Sequence, residues 1–247
     1  MNAAAGPTFG PDYYQRQYAV ETCRPFSQHW WSVRLYAKVA DRLLRRIGGR
    51  RVLEVGCGFG YILARLERRY QTYGVDVSAY AIQRCAQIAP RSRCIMADVE
   101  AGLPPELEPD TFDLVLACYV FEHLRQPRKV ICDLTRLLRP GGSLFFSVPN
   151  TQSLGARWKG TNWYAYQDPT HCSLLTPTEW LEAVRQAGLT VQRRFSDGWW
   201  DVPYVRWLPS WLQFPLFAAP AALECLLARP ILPASCGENL IIVAQRP

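Results

Sequence analysis

Residues 51–60 read Arg-Val-Leu-Glu-Val-Gly-Cys-Gly-Phe-Gly. A short apolar run breaks into three alternating glycines, and a helical pattern opens just after them. This is the signature of a buried parallel strand that ends in a turn too tight for Cβ atoms and feeds a helix. Open α/β sheets bind ligands at such carboxyl strand ends. A P-loop needs Gly-Lys-Ser/Thr to close the turn, but Tyr61-Ile62-Leu63 follow Gly60, so that phosphate cradle is excluded. A dinucleotide fingerprint places its third glycine where Tyr61 stands, which weakens that reading without removing it.

The elements downstream follow in order. Residues 71–78 (Gln-Thr-Tyr-Gly-Val-Asp-Val-Ser) read as a second strand ending in Asp76, and residues 93–100 (Arg-Cys-Ile-Met-Ala-Asp-Val-Glu) as a third ending near Asp98. Residues 112–124 carry a fourth strand and then Phe121-Glu122-His123-Leu124. Leu137-Leu138-Arg139-Pro140-Gly141-Gly142 reads as a helix stop that turns into a strand at Ser143–Val148. Glu54-x-Gly56-x-Gly58-x-Gly60, with these elements behind it, resembles the class I S-adenosylmethionine-dependent methyltransferases over roughly residues 50–150.

The resemblance implies a site. Glu54, Gly56, Cys57, Gly58 and Gly60 would lie along the homocysteine part of S-adenosylmethionine, and Asp76 with Val77 at the ribose. Asp98 and Val99 would meet the adenine, and Cys118 and Tyr119 would floor the sulfonium, with Glu122 and His123 bracing the turn after strand four. A carboxylate at Asp76 can accept both ribose hydroxyls.

Composition narrows the function classes. The chain has 247 residues, 49% of them hydrophobic, enough for one core without a second catalytic domain. Nine scattered cysteines without a Cys-x-x-Cys pair predict reduced thiols rather than a disulfide frame. His29, His123 and His171 show no ligand spacing, so no metal centre is expected. The start lacks a basic and apolar leader, so a cytoplasmic location is the expectation. The net charge of +7 comes from arginines spread over helix faces, which argues against a nucleic-acid partner.

The flanks should choose the substrate. Tyr13, Tyr14 and Tyr18 precede a helix expected over residues 28–47, and in related small-molecule methyltransferases such a segment folds over the cofactor as a lid. Residues 149–177 read as a long loop of the kind that carries function. Its Trp158, Trp163, Asp168-Pro169-Thr170-His171 and Thr176-Pro177 pattern is similar to ubiquinone-type, secondary-metabolite and glycan-tailoring methyltransferases. His171 with Asp168 is a candidate base or substrate-orienting pair, or a loop pin. Residues 199–236 form an apolar Trp- and Pro-rich insertion before the last strand. Its prolines predict a segment too short and broken to span a bilayer, suited to a membrane interface, a pocket cap or a dimer surface.

The expected architecture is therefore a single three-layer α/β Rossmann-like sandwich over residues 1–247. It has an N-terminal lid over residues 1–50, a cofactor core over 51–150, a substrate side over 151–198 and the last strand within 237–247. The resemblance implies a seven-stranded, mostly parallel sheet of order 3-2-1-4-5-7-6 with an antiparallel last strand. The expected activity is methyl transfer to a small apolar, aromatic, sugar or lipid-linked acceptor, leaving S-adenosylhomocysteine, by a monomer or homodimer. A nicotinamide-dependent oxidoreductase and a non-catalytic subunit anchoring a membrane partner are the competing classes.

Overall fold

The computed structural model describes residues 9–11, 13, 14, 23, 25–227 and 231–247; Tyr18 lies outside them. Seven strands form one sheet: β1 (Arg51–Val55), β2 (Gln71–Asp76), β3 (Arg93–Met96), β4 (Phe112–Cys118), β5 (Leu138–Pro149), β6 (Thr190–Ser196) and β7 (Asn239–Gln245). Their order is β3-β2-β1-β4-β5-β7-β6. The first five are parallel, and β7 inserts antiparallel to both β5 and β6.

Strand alternation assigns the two faces. Leu53 and Val55 of β1, Val115 and Ala117 of β4, and Leu144, Phe146 and Val148 of β5 point into one core. That core is closed by α4 (Pro127–Leu137) and α7 (Pro177–Gln186), through Val130, Ile131, Leu134, Trp180 and Val184. Val52, Leu114, Leu116 and Phe145 face the other way, onto α1 (Gln28–Ile47). This period-2 split of apolar residues over both faces is what a sheet covered by helices on each side requires. Helix α2 (Leu63–Leu66) follows the glycine turn, and α3 (Ala79–Ile88) packs its Cys85 against Cys57 and Leu63.

Helix α1 shows why its limits fall where they do. Ser27 caps its start by accepting from the Trp30 N–H at 3.2 Å, and Gly48 ends it in the left-handed region at φ 62°. Helix α7 begins with the capping box expected from Thr176 and Glu179.

Three expectations are corrected. The Pro140-Gly141-Gly142 segment does not precede the strand but lies inside β5, whose register against β4 shifts between Phe112 and Leu114. Asp113 fixes this bulge: it accepts the Arg139 Nε–H and, at 2.7 and 2.8 Å, the backbone N–H groups of Arg50 and Arg51. The stretch 149–177 is not one long loop, because α5 (Leu154–Lys159), a 3-10 turn (Gly160–Asn162) and α6 (Tyr164–Gln167) occupy its middle. The prolines of the apolar insertion do not break it either. Helix α8 (Ser210–Leu227) runs through Pro215 and Pro220, and by length and composition it is apolar enough to cross a membrane.

Candidate active site

A cavity of about 1010 Å³ opens at the carboxyl edge of the sheet, over β1, β2 and β4. Its size suits a drug-sized ligand or cofactor. Gly56, Gly58 and Asp76 line one wall, Val77, Asp98 and Val99 a second, and Cys118 and Tyr119 the floor.

The glycine turn shows the expected division of labour. Gly56 takes φ 63°, and a Cβ there would meet Val120 Cγ2 at 2.2 Å, so this position is closed to any side chain. At Gly58 the nearest atom to such a Cβ is a Tyr14 ring carbon at 4.0 Å, which leaves bare backbone facing the cavity. Gly60 does not line the cavity; it lies against Cys85 of α3. The Asp76 carboxylate holds the turn, accepting from the Gly58 N–H and the Ser78 N–H at 2.9 Å each. Burial raises its pKa while those backbone donors lower it.

Glu54 is 4% exposed, and its Oε2 has no hydrogen-bond partner among the described residues. Burial, together with repulsion from Asp76, pushes its pKa well above the usual carboxylate range. A buried acid of this kind beside a cavity is suited to a cationic ligand group. Asp98 turns its Oδ1 to the Glu100 N–H at 2.9 Å, next to buried Val99 and the half-exposed Val77.

The N-terminal aromatics cover this cavity from one side. Tyr14 stacks on Phe59 with ring centroids 4.9 Å apart, and Phe9 meets His123 edge-on at 5.8 Å. Tyr13 and Tyr14 both line the cavity.

The far wall joins two segments distant in sequence. The 3-10 turn Phe121–His123 follows β4, and the Glu122 carbonyl accepts the N–H groups of both Cys172 and Ser173 at 2.9 Å. Those two bonds bring the histidine rings of His123 and His171 to 4.7 Å. Asp168 accepts from the Thr170 hydroxyl at 2.6 Å, and Thr170 Oγ1 in turn faces His123 Nδ1 at 2.9 Å. Because the hydroxyl proton is committed to the carboxylate, His123 must donate from Nδ1 and keep Nε2 bare. His171 donates from Nδ1 to the Ala165 carbonyl at 2.8 Å, so its Nε2 is bare as well. Burial lowers the pKa of both rings, that of His123 to about 4, so both are neutral at pH 7. The expected His171–Asp168 pair does not form as a hydrogen bond: Nε2 and Oδ2 are 3.7 Å apart, and Asp168 serves Thr170 instead.

Trp158 and Trp163 do not line this cavity. Trp163 is fully buried and donates its Nε1–H to Glu238, and Trp158 lies on a smaller groove with Trp199 and Leu216. In their place the structure gathers Tyr36, Tyr164, Asp197 and Asn239, which no motif marked, around the expected Tyr119. Tyr119, at φ 58°, pairs its hydroxyl with that of Tyr36 and accepts from Asn239 Nδ2, both at 3.0 Å. Asn239 Oδ1 accepts from Tyr164, and Asp197 accepts from Tyr36 and Asn239 at about 2.9 to 3.0 Å. Tyr36, Tyr119 and Tyr164 all face the cavity. The available signal was topological: an antiparallel β7 puts its first residue and the end of β6 at the same edge as the ends of β1 and β4.

The family profile described as "Methyltransferase domain" matches residues 27–193, which take in every cavity wall except the N-terminal aromatics. The chain belongs to this methyltransferase family. It is 30% identical over 174 residues to a ubiquinone biosynthesis O-methyltransferase of Paracidovorax citrulli, covering 60% of this chain and 66% of that one. A malonyl-[acyl-carrier protein] O-methyltransferase of Halorhodospira halophila is 33% identical over 131 residues, covering 49% of this chain and 43% of the other. The chain thus spans less than two thirds of the length of these relatives. A crystal structure of an S-adenosylmethionine-dependent methyltransferase from Archaeoglobus fulgidus shares the fold, with a TM-score of 0.56 at 19% identity, covering 85% and 94% of the two chains.

Family membership implies S-adenosylmethionine as the cofactor of this methyltransferase, and the residues fit it. The open backbone at Gly58, the Glu54 carboxyl with its unbonded Oε2 and the apolar Val77–Val99 wall answer, in order, its amino-acid part, its positive charge and its adenine.

Proposed function

We propose that this protein methylates a hydroxyl oxygen of a small molecule, working as one domain over residues 1–247. The observation that carries the reading is the single cavity that combines the Asp76-pinned glycine turn with the polar wall of Glu122, His123 and His171. When bound, S-adenosylmethionine supplies a methyl on a sulfonium sulfur; transfer breaks the sulfur–carbon bond, forms an oxygen–carbon bond and releases the hydroxyl proton to water. Asp76 and the turn hold one reactant, and the far wall with Tyr119 orients the other. Alignment of this kind in a water-excluded space can lower a barrier by several kcal/mol. Both named relatives are O-methyltransferases, which supports oxygen over nitrogen or carbon. Nicotinamide chemistry has no comparable support.

Titration calorimetry with S-adenosylhomocysteine should give one-to-one micromolar binding, while NAD gives no heat. Binding of NAD alone would sink the reading.

We further propose that the acceptor is apolar or lipid-linked and that α8 rests on a membrane surface, with the nine free thiols suiting a reducing cytoplasmic side. At roughly 100° per residue, Trp211, Leu212, Leu216, Leu223, Leu226 and Leu227 fall on one arc of roughly 160°, and all of them are exposed. The opposite face is anchored inward by buried Gln213, Glu224 and Cys225. An outward stripe of Leu and Trp on a chain of net charge +7 matches an anionic lipid interface. Sedimentation with phosphatidylglycerol vesicles should show binding that falls at least tenfold in a Trp211→Glu/Leu216→Glu double variant. Equal sedimentation of the two proteins would remove the membrane reading.

A further inference from the structure

We propose that Glu122, His123 and His171 form a site for a divalent first-row transition cation, Zn²⁺ being the best match, whose open side faces the cavity and takes an oxygen of the acceptor.

The ligand atoms of these three residues lie within 4.8 Å of one another. Ligands of one zinc ion sit roughly 3.3 Å apart, given bonds of about 2.0–2.1 Å, so side-chain rotations closing the triangle by up to about 1.5 Å suffice. Each member is prepared for the role. Glu122 is 1% exposed, and its Oε2 has no hydrogen-bond partner among the described residues, a costly arrangement that a cation would relieve. His123 is held by the Thr170 hydroxyl, itself bound to Asp168, and His171 by the Ala165 carbonyl. Both outer contacts consume Nδ1–H and leave Nε2 as a lone pair. Histidines that ligate metals have this outer shell, a carboxylate or carbonyl fixing the far ring nitrogen.

The donor set also selects the ion. Two imidazole nitrogens and one carboxylate, with a side left open, suit zinc or other first-row metals rather than magnesium or calcium, which prefer oxygen ligands. All three residues line the cavity that Asp76 and Gly58 line, so the open coordination positions face ligand space rather than protein. A cation there would lower the pKa of an acceptor hydroxyl, which removes the need for a base. Only this acceptor role rests on the methyl-transfer reading; cation binding itself does not.

The test uses the full chain, dialysed against chelator and then titrated with Co²⁺ followed by visible absorption. One equivalent should bind without the sulfur charge-transfer band that a site built from any of the nine cysteines would show, and Zn²⁺ should displace it. Catechol added to the cobalt-loaded protein should perturb the spectrum by occupying the open side. Glu122→Gln and His171→Asn should each weaken cobalt binding at least tenfold. The chain has only three histidines, so proton NMR gives a readout that needs no variant: Co²⁺ should shift or broaden the rings of His123 and His171 more strongly than that of His29, which lines the same cavity. No stoichiometric binding, a sulfur band, or unaffected His123 and His171 signals would overturn the site. A silent catechol addition would overturn the acceptor role. S-adenosylhomocysteine is titrated into the same samples. Its binding without cobalt binding defeats the cation site alone, and cobalt binding without it defeats the methyl-transfer reading alone.

Discussion

Asp76→Ala should lower the affinity for S-adenosylhomocysteine at least 100-fold. The carboxylate has two tasks that a methyl group cannot share. One oxygen holds the Gly58 N–H and the other the Ser78 N–H, which fixes the turn against the end of β2. The Tyr14 hydroxyl also donates to this carboxylate, which borders the cavity with lone pairs left over for ligand hydroxyls. Hydrogen bonds to a charged group contribute about 1.5–3 kcal/mol each, so losing two of them corresponds to a factor of 100 or more. Asp76→Asn should fall between the two proteins, since it keeps the shape but must present an amide donor to one backbone N–H. Calorimetry on the three proteins checks the order. An affinity of the alanine variant within threefold of the parent would remove Asp76 from the ligand site.

The second large effect concerns stability against pH. Asp197 is fully buried, and burial raises its pKa to about 7 although Asn239 and Tyr36 donate to it; Glu224 adds repulsion from the α8 side. A carboxyl with a raised folded pKa favours the fold most when protonated. Its contribution is complete below the unfolded value near 4 and is lost as the pH rises through about 7. A shift of this size corresponds to roughly 4 kcal/mol. Asp197→Asn cannot ionise, so the difference in unfolding free energy between pH 5 and pH 8 should shrink by about 2.5 kcal/mol in that variant, whatever its stability at pH 5. Some slope should remain, because burial also raises the pKa of Glu122, to about 8, and of Glu224 and Glu238. Denaturant titrations at the two pH values measure this, and equal slopes would mean that Asp197 is ionised throughout.

Much of the cofactor half was legible in the chain because it is encoded locally. The glycines must follow β1 directly, Asp76 must end β2, and α1 is bounded by a Ser cap and a Gly stop that stand in the sequence. The far wall of the cavity was less legible because its geometry is nonlocal. His123 and His171 meet only because the Glu122 carbonyl takes two N–H groups from the segment before α7, and no periodicity reports such a contact. Asn239 and Asp197 reach Tyr119 only through the antiparallel entry of β7. The short helices within 149–177 escaped notice because four to six residues are too few to show a 3.6-residue period. Pro215 and Pro220 misled in the other direction, since α8 runs through both and lies against α1, with Cys225 in the core that α1 builds.

The late insertion of β7 between β5 and β6 has a consequence for how this protein is made. About 90 residues separate the end of β5 from the start of β7, and at about 5–20 residues per second a ribosome needs roughly 5 to 20 seconds to bridge them. Throughout that interval the apolar outer edge of β5 stands open and β6 has no strand to join, so the nascent chain presents the kind of edge that recruits other strands. Slower translation through residues 150–238 lengthens that exposure, and holding the nascent chain until β7 emerges shortens it. The yield of folded protein should therefore depend on the pace of synthesis over the segment that also builds the far wall of the cavity.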